Sequence, residues 1–220
     1  MEAAPALARR PIKARDSRWA AAAALFLAGR GVTPDAISIA SIASAGIAAL
    51  AFLALCFDRD PLARVAFFAV AIAGIQGRLI CNLLDGMVAI EGGKKTKSGG
   101  VFNELPDRIS DPLIIVPAGY AISPLPHAVA LAWFAALMAV LTAYVRALGR
   151  TMGTPDFFIG PMAKQHRMAT LTIACALSMP ASFWSLDGLI LYTALIVITA
   201  GSVITVIRRA VLIVRTLENQ

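Results

Sequence analysis

The chain of 220 residues is 59% hydrophobic and carries a net charge of +7. Soluble domains contain only about 45–50% apolar residues, so the composition excludes an ordinary soluble protein. The apolar residues occur in runs of about 20, enough to cross a hydrocarbon core of roughly 30 Å. The basic residues cluster at the ends of these runs, which favours contact with anionic lipid headgroups and argues against nucleic acid as a partner.

The first predicted element is a short helix over residues 16–29, which is too short to span a bilayer. Trp19 and the Ala/Leu face beside basic residues are typical of a helix lying in the membrane interface. Thr33 is expected to cap the next helix, with Pro34 in its first turn. We therefore divide a single membrane domain, residues 1–220, into a basic N-terminus with an interfacial helix (1–31) and a helical bundle (32–220).

Six apolar stretches follow, and each predicts a transmembrane helix because open sheet edges cannot face lipid. They lie at roughly 34–56, 63–91, 103–122, 127–149, 166–183 and 187–212. The expected fold is an all-α, six-helix membrane bundle. Lysines and arginines concentrate at one set of helix ends, so the positive-inside rule makes both termini cytoplasmic. The expected location is the cytoplasmic (inner) membrane of a bacterial-type cell.

Ionisable and amide side chains interrupt two adjacent spans at the same predicted membrane face. They are Arg78, Asn82, Asp85 and Glu91 in the second span, and Asn103, Glu104, Asp107, Arg108 and Asp111 in the third. Spacings of three and four residues place Asn82 with Asp85 on one helix face and align Asn103, Asp107 and Asp111 on another. The two stripes can meet across a short Gly/Lys loop and offer oxygen ligands to Mg²⁺.

Two other interpretations of these polar residues stay open at this point. The first is that they are polar helix ends that face water and carry no function. The second is a proton or ion pathway, although that would place charges near the bilayer centre in several spans. A transporter or membrane scaffold is a related third possibility for the whole chain.

The same segment resembles the signature of the CDP-alcohol phosphotransferases, D-x2-D-G-x2-A-R-x8-G-x3-D-x3-D. The match runs over 26 residues with unchanged spacing, from Asn82 to Asp107. Aspartates are replaced by Asn82 and Asn103, and the arginine by Ile90. The resemblance implies the family's six-helix fold, a homodimer, and an active face at the cytoplasmic ends of the helices.

The resemblance also implies roles for individual residues. Asp107 would be the catalytic base and a metal ligand. The other metal ligands would come from the two stripes, namely Asn82, Asp85, Asn103 and Asp111. The residues expected to line the cytidine-nucleotide site are Gly86, Ala89 and Gly99. The expected cofactor is one or two ions of Mg²⁺ or Mn²⁺.

The two asparagines each offer a carbonyl oxygen but no negative charge, which predicts weaker metal binding. A shifted alignment, reading Gly100-x3-Glu104, would recover an acidic residue at the third aspartate position. It would then place Arg108 at the position of the base. We prefer the alignment that keeps Asp107 there.

A second basic group flanks the loop between the fourth and fifth spans. Arg146, Lys164 and Arg167 are candidates for binding a phosphate of the donor or acceptor. Positive-inside topology alone is the alternative explanation for this group.

The resemblance implies transfer of a substituted phosphoryl group from a CDP-linked donor such as CDP-diacylglycerol. The transferred group is expected to be a phosphatidyl group. The acceptor is an alcohol and CMP is released. The alternative is a catalytically weak or inactive relative that binds a nucleotide-lipid or acts as a membrane partner protein.

Overall fold

The structure, a computed structural model, describes residues 17–91, Gly93 and 99–219, without the side chains of Glu91 and Asn103. The basic residues before position 17 and the lysines between positions 94 and 98 lie outside the described residues. Over the described ranges the chain is helical, with no β-strand. The helices are α1 (Arg18–Gly29), α2 (Pro34–Ala54), α3 (Pro61–Glu91), α4 (Gly99–Tyr120), α5 (Ala128–Thr151), α6 (Lys164–Ala181) and α7 (Asp187–Glu218), with a 3₁₀ turn (Ser182–Trp184) before α7.

Each of the six predicted apolar stretches forms one helix, α2 to α7. The largest differences are in α4, which begins at Gly99, and in α7, which continues to Glu218. By length and composition, α2, α3, α5 and α7 can each cross a membrane. Helices α4 and α6 fall outside this group because charged residues occupy the N-terminal half of α4 and the first turn of α6. The prediction of a helical membrane protein is confirmed.

The predicted N-terminal helix is present as α1 and packs against α3. Its Ala20 and Ala24 are buried, whereas Trp19 is exposed. The predicted cap of α2 is also confirmed, since the Thr33 hydroxyl accepts a hydrogen bond from the Ala36 backbone N–H at 3.2 Å. The cap satisfies one of the amide groups that the start of a helix leaves without an intrahelical partner.

Small residues allow the helices to approach each other closely, as membrane helices commonly do. A Cβ atom at Gly74 in α3 would lie 2.7 Å from the backbone nitrogen of Ala48 in α2. A Cβ atom at Gly119 in α4 would lie 2.2 Å from the Cβ of Ala132 in α5. These helix pairs therefore depend on glycine at the crossing points.

Most of the apolar core lies along the middle of α2 to α7, and a smaller apolar cluster lies between α1 and α3. At one end of the bundle, which we call the polar end, the C-terminal half of α3 meets the N-terminal half of α4 and the first turn of α6. The opposite end, where α3 and α7 begin, is called the distal end. The packing of α3, α4 and α6 brings the polar residues of three separate sequence segments together.

Candidate active site

Three side chains from three helices form what we call the outer layer at the polar end: Asn82 of α3, Asp107 of α4 and Lys164 of α6. The amide nitrogen of Asn82 lies 3.2 Å from Oδ1 of Asp107. The Lys164 ammonium lies 2.5 Å from both Oδ1 of Asn82 and Oδ2 of Asp107. The stripes predicted on α3 and α4 therefore meet in the structure, and a lysine bridges their oxygens.

An inner layer lies one helical turn deeper and consists of Arg78, Asp111 and Arg167. The Asp111 carboxylate receives Arg78 at Oδ1 and Arg167 at Oδ2, each at 2.6 Å. Arg78 also donates to Oδ1 of Asp107 at 3.2 Å, which connects the two layers. All three inner-layer residues are buried, and Arg78 has no exposed surface. Buried charges are tolerated when they are paired and hydrogen-bonded, as these carboxylate contacts provide.

Asp85 lies three residues beyond Asn82 on α3 and is also buried. Its Oδ2 accepts from the Ser38 hydroxyl of α2 at 2.7 Å, and its Oδ1 accepts from the Gly86 backbone N–H at 2.5 Å. Both donors are neutral. Among the described residues, no basic side chain forms an ion pair with this carboxylate. Asp85 thus differs from Asp107 and Asp111, whose charges are directly paired.

Glu104 of α4 belongs to a different contact group. Its Oε1 accepts from Nη2 of Arg146 at 2.7 Å, and its other oxygen pairs with Arg108. The Arg146 guanidinium also lies over the Phe158 ring, 5.0 Å from its centroid. Asp107 therefore occupies the outer layer, one turn before Asp111 on α4. Glu104 lies outside that layer and pairs with two arginines.

The charges of the two layers limit how a divalent metal could bind. With Asp85 included, three carboxylates lie beside three basic side chains, so the cluster is neutral before any ligand binds. In the described part of the chain, no three His, Cys, Asp or Glu side chains are grouped to hold a metal ion. Lys164 already bridges the oxygens of Asn82 and Asp107.

Asp85 offers the better position for a metal, because its donors are neutral. Mg²⁺ is often held by one or two carboxylates together with substrate phosphates and water. The described residues therefore fit one divalent cation at Asp85. They do not fit a second cation between Asn82 and Asp107, where the lysine ammonium lies.

The structure brings five of the eleven predicted site residues together in the two layers. Asn82, Asp107, Asp111, Lys164 and Arg167 form the two layers with Arg78, which the spacing argument left without a role. Their predicted chemical roles stay predictions.

The remaining predicted site residues lie outside the two layers. Gly86 and Ala89 are half-buried near the end of α3, and Gly99 is the half-buried first residue of α4. Their predicted role in binding the nucleotide stays a prediction, as does the phosphate role of Arg146. The side chain of Asn103, a predicted metal ligand, lies outside the described residues.

The sequence pattern predicts no role for two residues of the cluster. Arg78 carries a usable signal, because it precedes Asn82 by four residues and so extends the same stripe one turn deeper. Ser38 carries none, since α2 contains many small residues and nothing distinguishes the one that contacts Asp85. Only the packing of α2 against α3 identifies it.

No protein-family model matches the sequence, and no curated protein matches it. The fold, in contrast, matches solved structures of phosphatidylinositol phosphate synthase from Mycobacterium tuberculosis. The structure with CDP-DAG bound has a TM-score of 0.73 at 20% identity, covering 90% of this chain and 94% of the enzyme. The complex with manganese and citrate has a TM-score of 0.72 at 20% identity, with 88% of each chain covered.

The apo form of the same enzyme has a TM-score of 0.67 at 21% identity, covering 86% of this chain and 92% of the enzyme. That synthase is a CDP-alcohol phosphotransferase. The similarity extends along most of both chains, so it describes the whole bundle and not one hairpin. The chain therefore has the fold of the CDP-alcohol phosphotransferases, the family that its signature resembles.

Proposed function

We propose that the chain is a membrane enzyme of phospholipid synthesis that transfers a phosphatidyl group from a CDP-linked donor, such as CDP-diacylglycerol, to an alcohol and releases CMP. One observation carries the proposal. Asn82 and Asp107, the first and last positions of the signature, are in contact at the polar end of this fold. The same fold in the mycobacterial synthase has been solved with CDP-DAG bound.

Asp107 is the proposed base for the acceptor hydroxyl. Its Oδ1 accepts from Arg78 and Asn82, whereas its Oδ2 accepts from Lys164 among the described residues. A carboxylate oxygen can accept two hydrogen bonds, so Oδ2 retains capacity for the hydroxyl proton. The Asp107 side chain is 13% exposed, compared with 5% for Asp111. Asp107 is therefore the more accessible of the two carboxylates to a substrate.

Asp85 is the proposed principal ligand of a divalent cation. Mg²⁺ or Mn²⁺ bound there would neutralise the donor pyrophosphate and the CMP leaving group. Arg146 is the proposed phosphate contact, because its side chain keeps 15% exposure beside Glu104. Asp111 and Arg167 bind each other in the inner layer, and we assign them the role of positioning Arg78 and the first turn of α6.

The proposed topology has six spans in one membrane domain with both termini in the cytoplasm, and the polar end faces the cytoplasm. Arg64 supports it. The arginines of the distal end are Arg59 and Arg64, and Arg64 is buried in an ion pair with Asp187. Among the described residues of the distal end, the exposed arginine is therefore Arg59 alone, which strengthens the charge asymmetry. A homodimer is part of the proposal.

The decisive experiment is a CMP-release assay with the full chain purified in detergent. The mixture would contain Mg²⁺ or Mn²⁺, radiolabelled CDP-diacylglycerol and a panel of polyols and phosphorylated polyols. We expect release that requires both metal and acceptor and is lost in Asp107→Asn. Release that is insensitive to Asp107→Asn would contradict the proposed base.

A catalytically weak or inactive relative is the second candidate, and one observation favours it. The proposed base already accepts hydrogen bonds from Arg78, Asn82 and Lys164. This candidate predicts binding of CDP without CMP release for any acceptor. Activity that appears only after Asn82→Asp and Asn103→Asp would show that the amides silence the site.

A further inference from the structure

The Lys164 ammonium has the surroundings of a bound cation and not those of a surface lysine. Its Nζ lies 2.5 Å from an amide oxygen on α3 and 2.5 Å from a carboxylate oxygen on α4. The Lys164 side chain is 19% exposed and that of Asp107 is 13% exposed. The ammonium thus bridges the two helices through oxygen atoms, as a metal ion between two ligands would.

Neighbouring contacts hold this lysine in place. Arg167 lies one turn further along α6 and binds Asp111 at 2.6 Å and the backbone carbonyl of Met162 at 2.9 Å. These contacts attach the first turn of α6 to α4 and to the preceding loop. Since the backbone of Lys164 is part of this turn, the side chain enters the outer layer from a fixed position and loses less conformational entropy there.

Local charge also favours a single positive charge between the two oxygens. Asn82 contributes no charge and Asp107 contributes one negative charge, so the ammonium balances the pair. A dication in the same place would leave an excess positive charge next to Arg78, which lies 3.2 Å from Asp107. Like charges at short distance in a partly buried site are unfavourable.

We propose that the Lys164 ammonium is an internal cation that excludes a divalent metal ion from the oxygens of Asn82 and Asp107. It thereby limits this site to the single metal position at Asp85. The role of this exclusion in catalysis rests on the proposed function. Its direct consequence is the number of metal ions that each chain binds. That number can be measured without any turnover.

The test is a Mn²⁺ titration of the full chain in detergent, followed by calorimetry and by electron paramagnetic resonance of free Mn²⁺. Wild type is compared with Asn82→Asp, with Lys164→Met and with the double variant. The double substitution adds one negative charge and removes one positive charge, so the net charge of the site falls by two, which matches one dication. We expect the double variant to bind one more Mn²⁺ per chain than wild type.

Neither single variant should gain a metal ion. In Asn82→Asp the lysine remains and pairs with the new carboxylate, and in Lys164→Met the amide still lacks charge. Arg208→Met, at an exposed position of α7, is the control for loss of one positive charge and should bind metal like wild type. If Lys164→Met prevents folding of the double variant, Asn82→Asp with Lys164→Gln keeps a hydrogen-bond donor at that position.

The inference is overturned if the double variant binds no more Mn²⁺ than wild type, or if Asn82→Asp alone gains the ion. The CMP-release assay separates this result from the proposed function. CMP release by wild type, together with no gain of metal in the double variant, removes the inference and keeps the function. A gain of metal in a chain that never releases CMP keeps the inference and removes the function.

Discussion

The two ends of the bundle both contain buried ion pairs, but the pairs are built differently. At the distal end, Arg64 donates through Nε to Asp187 at 3.0 Å and through Nη1 to the carbonyls of Leu55 and Asp58. At the polar end, Arg78 is divided between two carboxylates, and its Nε and Nη1 have no partner among the described residues.

The difference shows that a buried charge alone does not identify a site. The Arg64–Asp187 pair is closed, because the guanidinium connects the end of α2 to the starts of α3 and α7. The polar end is open, because its donors and acceptors are shared and two guanidinium nitrogens of Arg78 have no partner among the described residues. An unpaired buried donor typically costs about 1–3 kcal/mol, which is tolerated more readily where a site must also bind a ligand.

The largest expected effect is a difference in the free energy of unfolding between a variant at the polar end and a variant at the distal end. Asp111→Asn removes the carboxylate that pairs with Arg167 and one of the two that pair with Arg78, and breaking a buried pair in this way costs about 3–5 kcal/mol. Asp187→Asn should lower the free energy of unfolding by less, because Arg64 keeps two backbone carbonyls. Unfolding in mixed SDS and detergent micelles would measure both variants. A loss for Asp187→Asn that equals or exceeds that for Asp111→Asn would contradict the comparison.

The next effect is a difference in the rate of CMP release between a variant at each end. Removing a general base typically slows a reaction by about 100-fold or more, so Asp107→Asn should reduce CMP release by at least that factor. Asp187→Asn should leave the rate per folded molecule unchanged, since Asp187 lies at the distal end. Rates would be normalised to the monodisperse fraction in size-exclusion chromatography. Equal losses in both variants would mean that the assay reports stability alone.

A smaller effect is expected from loss of the hydrogen bond that Ser38 donates to Asp85. Ser38→Ala removes a hydrogen bond to a buried carboxylate, worth about 1.5–3 kcal/mol for a charged partner. The matched control is Ser41→Ala, whose hydroxyl contacts the Ser38 backbone carbonyl at 2.6 Å within the same helix. Ser38→Ala should lower the free energy of unfolding more and should also change Mn²⁺ affinity. Equal behaviour of the two serine variants would remove Asp85 from the proposed metal position.

The smallest effect is expected at Glu104, whose side chain is 39% exposed. Ion pairs exposed to this degree contribute about 0–1 kcal/mol, so Glu104→Gln should change unfolding little. Freed from its partner, Arg146 should bind anions more readily. Inhibition of CMP release by inorganic phosphate would then become stronger in the variant. Unchanged inhibition would argue against Arg146 as a phosphate contact.

The sequence alone determined the helical elements, the cap at Thr33 and the polar character of the α3–α4 hairpin. These features depend on local periodicity, hydropathy and turn chemistry, which act over a few neighbouring residues. The spacing of Asn82, Asp85 and Asp107 was sufficient to suggest a family, and the fold comparison agreed with it.

Only the tertiary structure decided which polar groups pair. The sequence offered Lys164 and Arg167 as phosphate contacts, but packing of α6 against α3 and α4 directs them to Asn82, Asp107 and Asp111. The rotation of each helix about its axis and its depth against its neighbours set these pairings. Both depend on apolar contacts along the entire length of the bundle, which no local pattern records.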